Sequence, residues 1–215
     1  MSAIARSRDR SAVFVMSGRL LAYPDDERVQ SLPLVRELVA SLTDRSCAAL
    51  FDTAVAALGS RPLLELQQDY VSTFDLKRRC CLYLSYYLNG DTRRRGMALW
   101  RFQETYRLGG FAVLGGELPD FLPVLLEFGA EGGDAEAAAL SLLEEHRQGI
   151  EVLLAALERH GSIYAGVVAA VAATLPTLTS AQRAAAELLV AQGPPAEQVG
   201  LEPFNLTDIT VGART

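Results

Sequence analysis

The chain is poor in the residues that carry metal and redox chemistry. Its 215 residues include two histidines, His146 and His160, and three cysteines, Cys47, Cys80 and Cys81. No Cys-x-x-Cys or His-Glu-x-x-His spacing occurs, and the adjacent Cys80 and Cys81 do not suit a closed zinc site. A sparse, odd cysteine count fits a reducing compartment. No serine sits in a GxSxG elbow and no glycine loop has P-loop spacing. Adjacent acids such as Glu144 and Glu145 diverge by about 100° on a helix and cannot face one substrate together. We therefore expect neither catalytic nor metal-binding residues. Long apolar runs are also lacking. The apolar centre at 163–175 is about 13 residues, against roughly 20 for a membrane span. The basic start leads into a short apolar stretch interrupted by Arg19, with no small-residue cleavage site after it. The expectation is a cytoplasmic protein without membrane insertion.

What is present suits a buried core. The chain is 50% hydrophobic and 21% charged, with net charge −6. A net-negative protein is a poor non-specific binder of nucleic acid, so no nucleic-acid partner is expected. Charge is divided unevenly: residues 1–110 hold 16 basic and 12 acidic side chains, residues 111–215 hold 4 and 14. The two halves either attract one another as solvated helix faces, or the acidic half receives a basic partner segment.

Strong helix formers dominate and sustained alternation is scarce, which predicts an all-α, single-domain bundle of about eight to ten helices. A first helix includes residues 13–21 and stops at Tyr23-Pro24. Asp25 or Asp26 caps the next, which runs through Leu42 with Pro33 near its start. Ser46 opens a third, closed by Gly59. A fourth spans 62–74. A fifth spans 78–88 and ends at Asn89-Gly90. Asp91 or Thr92 caps a helix over 93–108, and Leu118-Pro119 starts one that runs to Phe128. Asp134 caps a single long helix to His160, whose two histidines are expected at exposed helix ends. Ser162 and Ser180 cap two more. Residues 1–192 are expected to form the helical domain and 193–215 an irregular tail.

Two segments are chemically informative. The first runs from Tyr70 to Gly96. It is dense in tyrosine, and on the expected helix Tyr83 and Tyr87 share one face. Such rings suit either a core edge or a groove wall. Arg93-Arg94-Arg95 at a helix N-terminus oppose the helix dipole and require compensating acids. Asp91 is nearest in sequence, with Asp75 or Asp69 across the bundle. The second segment, 115–128, sets Leu118, Leu122, Leu125 and Leu126 in an apolar stripe beside Glu117, Asp120 and Glu127. That arrangement is equally a helix start within a bundle or a seat for an apolar, basic peptide.

Together these segments, YVSTFDLKRRCCLYLSYYLNGDTRRRGMALWRFQETYRLGGF (70–111) and ELPDFLPVLLEF (117–128), resemble the nitrate reductase delta-subunit (NarJ) family of molybdenum cofactor assembly chaperones. The opening SGRLLAYPDDE (17–27) and the closing EPFNL (202–206) resemble that family's ends. The resemblance implies a helical fold akin to chaperones that proofread twin-arginine leaders. It implies no reaction and no cofactor of its own, the molybdenum cofactor belonging to the client. The client would be the apo catalytic (alpha) subunit of respiratory nitrate reductase, bound by its N-terminal leader-like segment before membrane docking. A different molybdoenzyme client, or a structural accessory role, are the alternatives. Carried onto this chain, the resemblance places peptide contacts at Tyr70, Phe74, Tyr83, Tyr87, Glu117, Leu118, Asp120, Phe121, Leu122 and Glu127. It assigns Asp75, Asp91, Arg94 and Arg95 to a charge network that holds helices. Where related chaperones often carry histidine after Pro-Asp, this chain has Phe121, which does not titrate. A monomer or a homodimer by helix exchange is expected.

Overall fold

In the computed structural model, residues 3–90 and 92–192 are described, and side chains from Asp9 onward. The expected tail at 193–215 and Asp91 lie outside them. The helices, in chain order, are α1 (Ala3–Leu21), α2 (Asp26–Gln30), α3 (Leu32–Ser41), α4 (Arg45–Ala49), α5 (Asp52–Ser60), α6 (Leu63–Tyr70), α7 (Leu84–Asn89), α8 (Arg94–Leu108), α9 (Leu122–Ala130), α10 (Gly133–Glu145), α11 (Arg147–Arg159), α12 (Ala165–Ala173) and α13 (Ser180–Gln192). A π-helical turn, Val71–Asp75, and a 3₁₀ turn, Arg78–Cys80, lie between α6 and α7. The described residues contain no strand beyond one isolated bridge. The all-α expectation holds, with ten helices of eight or more residues.

α1 is the axis of the bundle, packed most extensively against α9 and also against α12. Its buried positions Val13, Phe14, Met16, Ser17, Leu20 and Leu21 recur at helical spacing. Small residues permit the close crossings. A methyl group at Gly129 would sit 2.7 Å from Ala139 and 2.9 Å from the Phe14 ring. One at Gly166 of α12 would sit 2.0 Å from the Leu50 carbonyl oxygen, so the backbones meet there. The amphipathic helix α11 buries Ile150, Leu153, Ala156 and Leu157 against α7, α12 and α13.

Several expected boundaries move, each for a local reason. The helix expected through Leu42 breaks at Ser31, so Asp25 caps only α2, accepting from the Arg28 N–H at 2.8 Å. Asp44, not Ser46, caps α4, accepting from Ser46 and Cys47. The helix expected over 78–88 is a 3₁₀ turn, an extended stretch and then α7, so Tyr83 precedes the helix as its N-cap. Gly90, at φ 56, ends α7 as expected, its N–H donating to Tyr86 at 2.7 Å. α9 starts at Leu122 rather than Leu118, because Phe121 is held extended in the bridge. The single helix expected from Asp134 to His160 breaks at His146. That imidazole is buried, not exposed, packed 4.9 Å from the Phe102 ring with Nδ1 2.9 Å from the Leu142 carbonyl. Thr179 caps α13 in place of Ser180: its hydroxyl accepts from the Gln182 N–H, and Gln182 Oε1 accepts from the Thr179 N–H.

Candidate functional site

The informative segments meet where regular helix gives way. The π turn after α6, closed by the Leu76 N–H donating to Val71 at 3.1 Å, sets Phe74 inward and Asp75 outward. Tyr70 packs against Tyr23 (5.3 Å between centroids), Phe74 (4.7 Å) and Tyr164 (6.1 Å), and donates its hydroxyl to the Leu21 carbonyl. Opposite, residues 82–84 and 120–122 form an antiparallel bridge: the Leu84 N–H donates to Asp120 O and the Leu122 N–H to Leu82 O. The bridge sets the Tyr83 and Phe121 rings 5.2 Å apart. The Tyr83 hydroxyl donates to Glu117 Oε2 at 3.1 Å, and the Arg95 guanidinium lies 5.8 Å from the Tyr83 ring centre. Burial, with the Glu117 charge second, pushes the Tyr83 phenol up to about 12, so it stays a neutral donor.

Between these walls lies a cleft of about 330 Å³. It is lined by Ala22, Tyr23, Arg28, Tyr70, Phe74, Asp75, Leu82, Tyr83, Glu117 and Phe121. Its floor and walls are aromatic. The rim carries the Asp75 and Glu117 carboxylates, and its one cation, Arg28, is already paired with Asp25. Such a site favours an apolar segment that carries positive charge.

The structure brings together Tyr70, Phe74, Tyr83, Glu117 and Phe121 of the expected peptide contacts. Three others are corrected. Tyr87 is fully buried; its hydroxyl donates to the carbonyls of Arg79 and Cys81, and its ring lies against Gly149. It cannot share a face with Tyr83, because Tyr83 is not on the helix. Leu122 is buried in the first turn of α9. Asp120 is fully buried rather than on the rim: Oδ2 accepts from the Ser85 N–H at 3.1 Å and the Ser85 hydroxyl at 2.5 Å, with Arg95 Nη2 at 3.6 Å. Leu118 is exposed but outside the cleft lining, and Glu127 lies on another face, beside Val124 and Phe128.

The expected charge network is also rearranged. Arg95 serves Asp120 and, through Nε, the Ser85 hydroxyl at 3.2 Å. Asp75 is on the cleft rim instead, and Arg94 is exposed with no ion pair to any described residue. Sequence reasoning missed Tyr23, Ala22, Arg28 and Leu82 as lining residues. Tyr23 was within reach, since it lies in the opening segment that carries the resemblance. Among the described residues, no group of three or more His, Cys, Asp and Glu side chains converges as a metal site, and no helix is long and apolar enough to cross a membrane.

The molecule is thus an all-helical bundle with an aromatic, acid-rimmed cleft. The fold is shared with a redox enzyme maturation protein from Archaeoglobus fulgidus, at TM-score 0.54 and 24% identity over 77% of this chain and 91% of that one. The family model described as nitrate reductase delta subunit matches residues 36–170, and the chain belongs to that family. A Bacillus subtilis (strain 168) protein named as a nitrate reductase molybdenum cofactor assembly chaperone, NarJ, is 33% identical over 174 residues, covering 79% of this chain and 91% of its own. The nitrate reductase-like protein NarX of Mycobacterium tuberculosis (strain H37Rv) is 42% identical over 155 residues, 72% of this chain but 23% of that longer protein. The family sets the chain among assembly proteins rather than enzymes.

Proposed function

We propose that the chain is an assembly chaperone for the catalytic subunit of a respiratory nitrate reductase. It binds the N-terminal, leader-like segment of the apo-subunit in the cytoplasm and keeps it competent for molybdenum cofactor insertion before membrane docking. The cofactor belongs to the client, and the chaperone supplies only the binding surface. The observation that carries this reading is the cleft itself, where Tyr70, Phe74, Tyr83 and Phe121 form an aromatic seat under the Asp75 and Glu117 carboxylates. A basic amphipathic segment would lay its apolar face on the rings and its cations against the two acids.

Titration calorimetry with a synthetic N-terminal peptide of the cognate catalytic subunit tests it, with a leader from an unrelated redox enzyme as control. The expected result is saturable binding of the cognate peptide at about micromolar affinity or tighter. Added salt should weaken it as the rim charges are screened. Equal binding of both peptides would remove the client specificity, and no binding by the folded protein would contradict the reading.

A further inference from the structure

We infer that α8 and the loop after it form a second docking surface, which takes an acidic, apolar stretch of the client segment continuing out of the cleft. This rests on the reading of the cleft as the client site. The normal distribution of apolar side chains is inverted on α8. Within it only Phe102 and Tyr106 are fully buried, whereas Met97, Trp100 and Leu108 face solvent, Trp100 at 57% exposure. The loop that follows adds Phe111, Leu114 (83% exposed) and Leu118. Six of the eleven large apolar side chains exposed among the described residues thus fall between residues 97 and 118. Concentration of that kind marks an interaction surface rather than scattered surface apolarity, and tryptophan is among the residue types enriched at interface hot spots.

The start of α8 is basic, where the rim of the cleft is acidic. Arg93 and Arg94 are exposed at the start of α8, with no ion pair to any described residue. Arg101 and Arg107 stand along it, paired with Glu145 at 2.8 Å and Glu104 at 2.6 Å. Those two pairs are already neutralised, so a partner gains from carboxylates where it reaches Arg93 and Arg94, and a partner in the cleft gains from cations.

The two surfaces are continuous. Glu117 lines the cleft and also a second depression of about 380 Å³, together with Trp100, Glu104, Arg107, Phe111 and Pro119. A chain leaving the cleft over Glu117 arrives on the α8 stripe. α8 is about 22 Å long, which about seven extended residues span.

Trp100 is the only tryptophan of the chain, so its fluorescence reports on this surface alone. The probes are two synthetic N-terminal peptides of the cognate catalytic subunit, with any tryptophan replaced by phenylalanine. The short one ends with the basic amphipathic stretch; the long one continues for about 20 more residues, ample to cover α8. We expect both to bind, the long one about tenfold tighter, as linked sites act together. Only the long one should shift Trp100 emission to the blue. In the M97D/R94E double variant the long peptide should bind no tighter than the short one. Equal affinities with an unchanged emission would overturn this inference and leave the cleft reading intact. A blue shift with anionic phospholipid vesicles and none with the long peptide would also overturn it, assigning the stripe to a membrane. If neither peptide binds, the cleft reading falls and this inference with it.

Discussion

The crossing of α1, α9 and α12 and the Tyr70–Phe121 cleft sit side by side in the bundle and are built in opposite ways. At the crossing the helices are regular and small residues let them touch, with Phe14 of α1 against Gly129 of α9, while Gly166 lets α12 meet the Leu50 carbonyl in the link between α4 and α5. At the cleft the backbone leaves the α-helix on both walls, as a π turn at Val71–Asp75 and a bridge between Tyr83 and Phe121. Side chains there cannot interdigitate as ridges into grooves, and an open volume with aromatic walls is left. The contrast teaches that, in this bundle, tight packing resides where helices are regular, and the cleft we propose for recognition opens where they are interrupted.

The sharpest way to break the first region is Gly166→Val. Its new side chain must displace the Leu50 backbone, so a loss of about 3 kcal/mol is expected in the denaturant unfolding free energy. Next is Asp120→Ala, which removes the buried carboxylate that accepts from the Ser85 N–H and hydroxyl and faces Arg95. A loss of about 2 kcal/mol is expected, and a wild-type unfolding midpoint would return Asp120 to the binding rim. Glu117→Lys acts on the second region only: affinity for the cognate N-terminal peptide should fall about tenfold, or 1.4 kcal/mol, with stability within about 0.5 kcal/mol of wild type. A change in midpoint with unaltered affinity would reverse the division between the two regions.

The smallest expected effect is a slope. Burial holds the His146 imidazole below its usual value, outweighing the Leu142 carbonyl and the Glu145 and Asp120 charges that favour protonation. The unfolded chain therefore takes up a proton first as pH falls. The contribution of His146 is fully present above about pH 6.5 and declines as pH drops through that value toward the depressed folded one. In His146→Gln the fall of unfolding free energy between about pH 6.5 and 5 should be shallower; an identical slope would contradict this.

The residues that showed in the sequence and those that did not differ in kind. Helical periodicity made the bundle legible, because a buried stripe such as Val13, Phe14, Met16 and Leu20 repeats at the helix period. Breaks were less legible. Nothing in the pattern around His146 distinguishes a ring turned inward onto the Leu142 carbonyl from one on the surface. Within the site, residue type pointed to segments that line the cleft but not to the facing of each side chain. Along 117–122, Glu117 and Phe121 face the cleft while Asp120 and Leu122 turn inward, because a turn at Pro119-Asp120 and the bridge at Phe121 precede the helix. A helical wheel drawn over it mixes the two sets. Arg28 was hidden for a different reason: it reaches the cleft from α2, far from either informative segment.

The central claim is that the client segment lies between the Tyr70 and Phe121 walls. Site-specific photo-crosslinking tests it most directly, with a benzophenone amino acid placed at Phe121 in one sample and at Leu34, an exposed position on α3, in another. With the cognate N-terminal peptide bound to both, a crosslinked adduct is expected from position 121 and none from position 34. An adduct from position 34, or a bound peptide that position 121 never captures, would contradict it.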